Sequence, residues 1–316
     1  MKILVGFDNG IGNFIIFTQA LRAIAEYFNS PVYLMLSSRW SGGVKNAVES
    51  LAKACPFVER VLEYPKDFKL EKWDYTFMSF HSNFLDPMFS TFHGGEFDWD
   101  RAESWAGGFL SESVYYHCEV AQKFGINSWP DQFCPYDEDS EFVTSLNPGY
   151  ICISNSYLRT KQGELDRKTY PHWSEVIKTI HCLNDERDIV LIGGKDDQDW
   201  AGTLMEDHPY LIDYTGQTTI LETAGVIKNA DAILSTDTGC YHIADALGVP
   251  GVVIFGATLV SKNGPLNNSL VVVRSPLPCA PCQGTMFWEM CQSRDKCMKN
   301  IDPGLVIAAL KKVIYI

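Results

Sequence analysis

Apolar residues alternate along this chain between short unbroken runs and longer stretches in which they recur every third or fourth position. Runs at residues 2–7, 32–36, 58–62 and 75–80 read as buried strands, and periodic stretches at 13–28 and 44–54 as helices. The first helix shows the spacing clearly, with Phe14, Phe17, Leu21 and Ile24 on one face. A helix over 111–124 closes this half. Between 81 and 105 the pattern degrades into aromatic, His- and Gly-containing sequence, read as a functional loop or a pair of short elements. The stretch 129–147, with Pro130, Pro135 and a run of acidic residues, reads as the interdomain link.

The alternation then restarts. Strands are expected at 150–154, 188–192, 210–213 and 270–273, and helices at 172–183, 199–207 and 218–228. Thr218 or Thr219 caps the last of these, with Glu222 near its third position. Residues 231–258 read as a strand, the turn Asp237-Thr238-Gly239, a helix carrying His242, and a strand ending in Phe255-Gly256. Pro303 starts a final helix through 312. Strand–helix alternation in both halves predicts an α/β protein with parallel sheets covered on both faces. The expected domains are 1–145 and 146–302, with 303–316 as a helix packing back on the first domain.

At 316 residues the chain is about two domains long by the usual size of roughly 100–200 residues each. Hydrophobic residues make up 46% and charged residues 21%, which excludes wholesale disorder. The net charge of −13 argues against nucleic acid as a partner without excluding a local basic groove. No run approaches the roughly 18 apolar residues of a membrane span. The opening MKILVGF is broken by Asp8 and Asn9, so it reads as a strand and not a secretory signal. A cytoplasmic protein without a transmembrane segment is expected. Peripheral membrane association stays open, although no basic amphipathic segment stands out.

The candidate chemistry sits in loops that follow strands. Asp8 and the GIGN segment place Gly10 and Gly12 where the chain is expected to turn tightly beside a ligand. This is no complete dinucleotide fingerprint, because Ile15 follows in place of the third glycine and no acid ends the second strand. Ser154-Asn155-Ser156 end a strand, and Lys168, in RKTYPHW, offers a point charge suited to a phosphate, with Arg159, Lys161 and Arg167 close by. Asp237-Thr238-Gly239 puts backbone N–H groups and a helix dipole at an anion's height, with His242 one turn on.

Ten cysteines remain. Cys55, Cys118, Cys134, Cys152, Cys182 and Cys240 are scattered singly and read as reduced, buried hydrophobes. Cys279, Cys282, Cys291 and Cys297 follow C-x2-C-x8-C-x5-C, a pattern compatible with a structural zinc site, free thiols or a disulfide under oxidation.

Lys168 with Pro171 and Trp173, Gly216-Gln217-Thr218-Thr219 with Glu222, Asp237-Thr238-Gly239 with His242, Phe255-Gly256-Ala257-Thr258 and the cysteines together resemble the heptosyltransferase family of glycosyltransferases, family 9. The resemblance is continuous over residues 150–303 and rests on the strand–GIGN–helix segment before that. It implies a GT-B-like architecture: two Rossmann-like domains facing each other across a cleft, with acceptor bound by the first and nucleotide-sugar by the second. The implied reaction is inverting transfer of a heptose or other sugar from a nucleoside-diphosphate donor, ADP-linked in the family. The acceptor would be a glycan or another hydroxyl-bearing molecule, as in lipopolysaccharide biosynthesis. The transfer that the resemblance implies needs no metal for catalysis.

In that resemblance Lys168 contacts the donor diphosphate, assisted by Ser154, Thr218, Thr238, Gly239 and His242, while Asp237 orders the loop or binds a sugar hydroxyl. Asn13 stands where the family has its proposed aspartate base. An amide accepts no proton at neutral pH, so Asp8, His81 or His93 would take that role, with Asn13 orienting the acceptor or capping the helix. Two other classes stay open: a catalytically silent nucleotide- or glycan-binding relative, motivated by Asn13, and a Rossmann-type sugar-nucleotide dehydrogenase or epimerase, against which the incomplete glycine fingerprint speaks.

Overall fold

The computed structural model describes residues 1–7, 10–37, 43–64, 67, 73–78, 125–126, 129–155, 167–183, 187–283, 285, 288, 290–291 and 295–314. The expected loop at 81–105, the helix at 111–124, and Asp8, His81, His93, Arg159 and Lys161 lie outside the described residues.

The chain divides into two compact units, Met1–Pro135 and Tyr136–Ile316. In the first, β1 (Ile3–Phe7), β2 (Val32–Ser37), β3 (Val58–Tyr64) and β4 (Tyr75–Met78) form a parallel sheet in the order β3-β2-β1-β4. Helix α1 (Ile11–Phe28) follows β1, and α2 (Gly43–Lys53) follows β2. All five residues of β1 are buried, which is why its sequence reads as a continuous apolar run. Helix α1 buries Phe14, Phe17, Leu21 and Ile24, and ends at Asn29 in the left-handed region (φ 47°). Phe7 stacks on Phe17 and meets the edge of Phe14.

The second unit begins with the short helix α3 (Glu141–Thr144). It continues through β5 (Ile151–Ser154), α4 (Trp173–Leu183), β6 (Ile189–Ile192), α5 (Gln198–Asp207), β7 (Ile212–Asp213) and α6 (Ile220–Lys228). Then come β8 (Ala232–Thr236), α7 (Gly239–Leu247), β9 (Gly251–Phe255), α8 (Val260–Asn263), β10 (Leu270–Arg274), α9 (Lys296–Lys299) and α10 (Pro303–Leu310). Its six strands are parallel in the order β10-β9-β8-β5-β6-β7. β5, β6, β8 and β9 are buried throughout. Trp173, Tyr170, Trp200 and Ile177 pack in the same core as Ile153 and Leu234.

Three boundaries differ from the sequence reading. The expected link at 129–147 is shared between the units. Phe133 donates its N–H to the Thr18 hydroxyl at 2.9 Å and sets its ring against Phe57, whereas Asp137 donates to the Leu221 carbonyl at 3.0 Å. The contacts therefore divide ten residues earlier than the expected 145/146 boundary. Second, α1 begins at Ile11, so Gly12 and Asn13 lie within its first turn and Gly10 is the N-cap residue. Asn13 therefore does not cap this helix. Gly10 has φ −73° and open space where a Cβ would point, so no tight turn demands glycine there. Third, α10 ends at Leu310, short of the expected 312. Val306, Ile307, Ala309 and Leu310 are buried in the core of the second unit, against α4, β9 and β10.

Candidate functional site

In an open parallel sheet, ligands bind beyond the carboxyl ends of the strands where the chain order reverses. Here β6 and β7 follow β5 to one side, and β8, β9 and β10 extend to the other, so that point lies between β5 and β8. Ser154 ends β5 in register with Ser235 of β8. Their hydroxyls lie 3.5 Å and 3.1 Å from that of Thr238. Asn155 follows and brackets Tyr170 through both of its amide atoms. Its Oδ1 accepts the Tyr170 N–H at 3.0 Å, and its Nδ2 donates to the Tyr170 carbonyl at 3.3 Å.

That bracket carries the 167–170 segment to the strand ends. Lys168 Nζ lies 2.9 Å from Asp237 Oδ2 and donates to the Asp237 carbonyl at 3.3 Å. The Asp237 side chain is only 5% exposed and that of Lys168 32%, so the pair has one buried end and one open end. Thr238 is the extended N-cap residue of α7 (φ −131°, ψ 172°), and its side chain makes no capping hydrogen bond. The first-turn N–H groups of α7 therefore lack the usual side-chain acceptor, and Gly239 adds no Cβ in front of them. A cation beside a helix N-terminus suits an anion such as a phosphate group. His242 is buried in α7, its ring 3.9 Å from that of Tyr241.

The Gly216–Glu222 segment resolves the capping question. Thr219 caps α6, with its hydroxyl accepting the Glu222 N–H at 3.3 Å and Glu222 Oε2 accepting the Thr219 N–H at 2.7 Å. Thr218 pairs its hydroxyl with that of Thr223 at 2.7 Å. Gly216 takes φ 66° and donates to the Gly193 carbonyl, which ties this loop to the end of β6.

The cysteine-bearing segment is tied to the loop that follows β9. The N–H groups of Cys282 and Gln283 both donate to the Ala257 carbonyl at 3.0 Å. Cys279 is exposed, Cys291 partly exposed, and Cys282 and Cys297 buried; none of the nine described cysteines is in a disulfide. Burial pushes the Cys297 thiol up to about 11. Burial also raises that of Cys282; Cys291 and Cys279 raise it further, and Arg167 opposes the rise. Among the described residues no three His, Cys, Asp or Glu side chains form a group able to hold a metal ion. The thiols of Cys279, Cys282, Cys291 and Cys297 are nonetheless near enough to act on one another, Cys282 feeling Cys279 and Cys291, and Cys297 feeling Cys282 and Cys291. Phe255, Thr258, Ser261, Arg274, Ser275 and Pro281 line a cavity of about 500 Å³ between the ends of β9 and β10 and this segment. The Thr258 hydroxyl is buried and makes no hydrogen bond among the described residues.

Sequence reasoning missed Ser235 and Trp288. Ser235 sits inside an apolar strand and gives no outward signal. Trp288 carries no motif, and its role comes from Arg167: the guanidinium carbon lies 4.2 Å from its ring centroid, and Arg167 Nη2 donates to its carbonyl. No helix among the described residues is long and apolar enough to cross a membrane.

Residues 144–289 match glycosyltransferase family 9 (heptosyltransferase). Lipooligosaccharide heptosyltransferase 2 of Haemophilus ducreyi is 32% identical over 114 residues, covering 34% of this chain and 33% of that protein. The chain thus matches about a third of the length of this curated relative. Among solved structures, the glycosyl transferase family 9 protein of Veillonella parvula superposes with a TM-score of 0.73 at 15% identity, covering 99% of this chain and 96% of that one. The E. coli ADP-heptose LPS heptosyltransferase II gives 0.72 at 18%, covering 99% and 98%. These two share the fold, the GT-B class of two Rossmann-like domains. Through residues 144–289, this chain is similar to glycosyltransferase family 9 (heptosyltransferase).

Proposed function

We propose that this protein is an inverting glycosyltransferase that moves a sugar from a nucleoside-diphosphate donor to a hydroxyl of a glycan acceptor. The observation that carries the reading is the Lys168–Asp237 pair at the uncapped start of α7, at the reversal point of the sheet. ADP is the favoured nucleotide, because a solved structure of the same fold is described as an ADP-heptose enzyme.

In the proposed reaction the acceptor oxygen forms a bond to the anomeric carbon from the face opposite the diphosphate. The sugar–oxygen bond breaks, and its electron pair leaves on the β-phosphate. Charge grows on that phosphate, and the Lys168 ammonium and the N–H groups of α7 are held ready to meet it. Asp237 keeps the ammonium in place and leaves its exposed side to the ligand. The acceptor's proton needs a base. Asn13, in the first turn of α1, cannot supply one, and Asp8 is the candidate by sequence.

The test is binding of ADP, GDP, UDP and CDP by calorimetry, repeated on Lys168→Ala. We expect one nucleotide to bind and the substitution to weaken it about tenfold, the loss of roughly one charge-assisted hydrogen bond. Unchanged affinity in Lys168→Ala would remove Lys168 from the donor site. Asn13 supports a second reading, a relative that binds nucleotide without turnover. Hydrolysis or transfer of an ADP-sugar by the wild-type protein would end that reading.

A further inference from the structure

We propose that Arg167 and Trp288 form a clamp that positions Lys168, so that the cysteine-bearing segment holds the donor lysine from behind. This rests on the donor-site reading of Lys168. Lys168 sits between two anchors. On its C-terminal side Tyr170 is fixed by the Asn155 bracket and by its hydroxyl, which donates to the Ile301 carbonyl at 3.1 Å. On its N-terminal side Arg167 is turned away from solvent, 5% exposed. Its guanidinium donates to the Trp288 carbonyl and lies over the indole face, and its own carbonyl accepts the Cys297 thiol at 3.9 Å.

A buried guanidinium is costly unless something compensates its charge. Among the described residues no carboxylate pairs with Arg167, and its Nε has no partner. Among the described residues, the indole face and one carbonyl compensate it, and both belong to Trp288. The same corner admits no slack. A Cβ at Gly256 would stand 3.0 Å from the Arg167 carbonyl, 3.0 Å from Cys297 Sγ and 2.5 Å from Met298 Sδ. The peptide entering Lys168 is therefore fixed by β9 on one side and the cysteine segment on the other. Arg167 points into that segment while the next side chain points to Asp237. Arg167 and Trp288 are positioning residues, because neither is placed to touch the ligand itself.

The experiment is calorimetric titration of the full chain with ADP, or with whichever of GDP, UDP and CDP binds. The variants are Arg167→Ala, Trp288→Leu, Trp288→Phe, Lys168→Ala and the Arg167→Ala/Lys168→Ala double variant. Thermal melting confirms that each is folded. The clamp predicts a loss of about 5- to 20-fold in Arg167→Ala and in Trp288→Leu, with Trp288→Phe within about twofold of wild type because it keeps a ring face. It also predicts that adding Arg167→Ala to Lys168→Ala changes affinity by less than about twofold, since Arg167 acts only through Lys168. Additive losses would overturn the clamp by showing that Arg167 meets the ligand directly. So would unchanged affinity in folded Arg167→Ala or Trp288→Leu while Lys168→Ala is impaired. An unimpaired Lys168→Ala would instead remove the donor-site reading, and the clamp with it. Should Arg167→Ala not fold, Trp288→Leu decides, because it removes the indole face and leaves the carbonyl.

Discussion

Truncating Lys168 should destabilise the protein, and neutralising Asp237 should restore part of the loss. In the wild type, Asp237 Oδ2 is buried and its partner is the ammonium at 2.9 Å. Lys168→Ala leaves a 5%-exposed carboxylate without its cation. Breaking a fully buried pair on one side costs about 3–5 kcal/mol. Lys168 is a third exposed, so water can enter the space it vacates, and the lower range of about 1–3 kcal/mol for an unsatisfied buried group applies.

Asp237→Asn differs because the ammonium left behind can turn to solvent. That change should cost about 0–1 kcal/mol, in the range of exposed pairs. The double variant contains neither charge and should sit near the Asp237→Asn value, giving a coupling of magnitude about 1–3 kcal/mol, equal to the Lys168→Ala loss. Urea unfolding of the four proteins, followed by circular dichroism, measures the cycle. A coupling indistinguishable from zero would refute the argument, because Asp237 would then be satisfied by something other than Lys168.

Gly225→Ala in α6 should destabilise by about 1–3 kcal/mol despite a helix-propensity gain of about 1 kcal/mol. The added Cβ would lie 1.9 Å from the Asp137 carbonyl of the docked link, and urea unfolding gives the sign. Thr219→Ala should cost about 1 kcal/mol by opening the capping box of α6, read by the same assay. His208, which bonds the Ser174 hydroxyl at 2.7 Å and that of Tyr210 at 3.1 Å, has its pKa lowered from 6.5, chiefly by burial. The unfolded chain then binds the proton more readily, so this contribution is whole above pH 6.5 and fades as pH falls below it. His208→Gln should flatten that acid-side decline in a pH series of urea midpoints; an unchanged slope would assign the decline to other groups.

The fold was legible where burial is symmetrical. Central strands of a parallel sheet are covered on both faces, so Ile151–Ser154, Ala232–Thr236 and Gly251–Phe255 declare themselves as short apolar runs between periodic helices. The same symmetry hid where the last helix goes. Its sequence, PGLVIAAL, is apolar nearly all round. That says it is buried but not against which surface, and the side chains that receive it come from α4, β9 and β10. The link was misdivided for a related reason. Proline and acidic residues mark a connection, but the two hydrogen bonds that assign its halves join it to Thr18 and Leu221, far away in sequence.

The site splits along the same line. Turn residues that a strand must end on were readable one by one: Ser154 after β5, Asp237-Thr238-Gly239 after β8, and the Thr219–Glu222 box before α6. Their pairings were not, because a parallel sheet brings strand ends together only through crossovers. Lys168 meets Asp237 across 69 positions, and Arg167 meets Trp288 across 121. No local pattern marks an arginine whose partner is an indole that far along the chain. What the structure adds is a mismatch in burial. Arg167 stands beside Lys168 in a basic run, yet it is buried while Lys168 remains a third exposed. Two adjacent cations with opposite burial cannot both be serving solubility. The buried one has given up its hydration for an aromatic face and a carbonyl, and the consequence of that exchange is a fixed backbone under its neighbour.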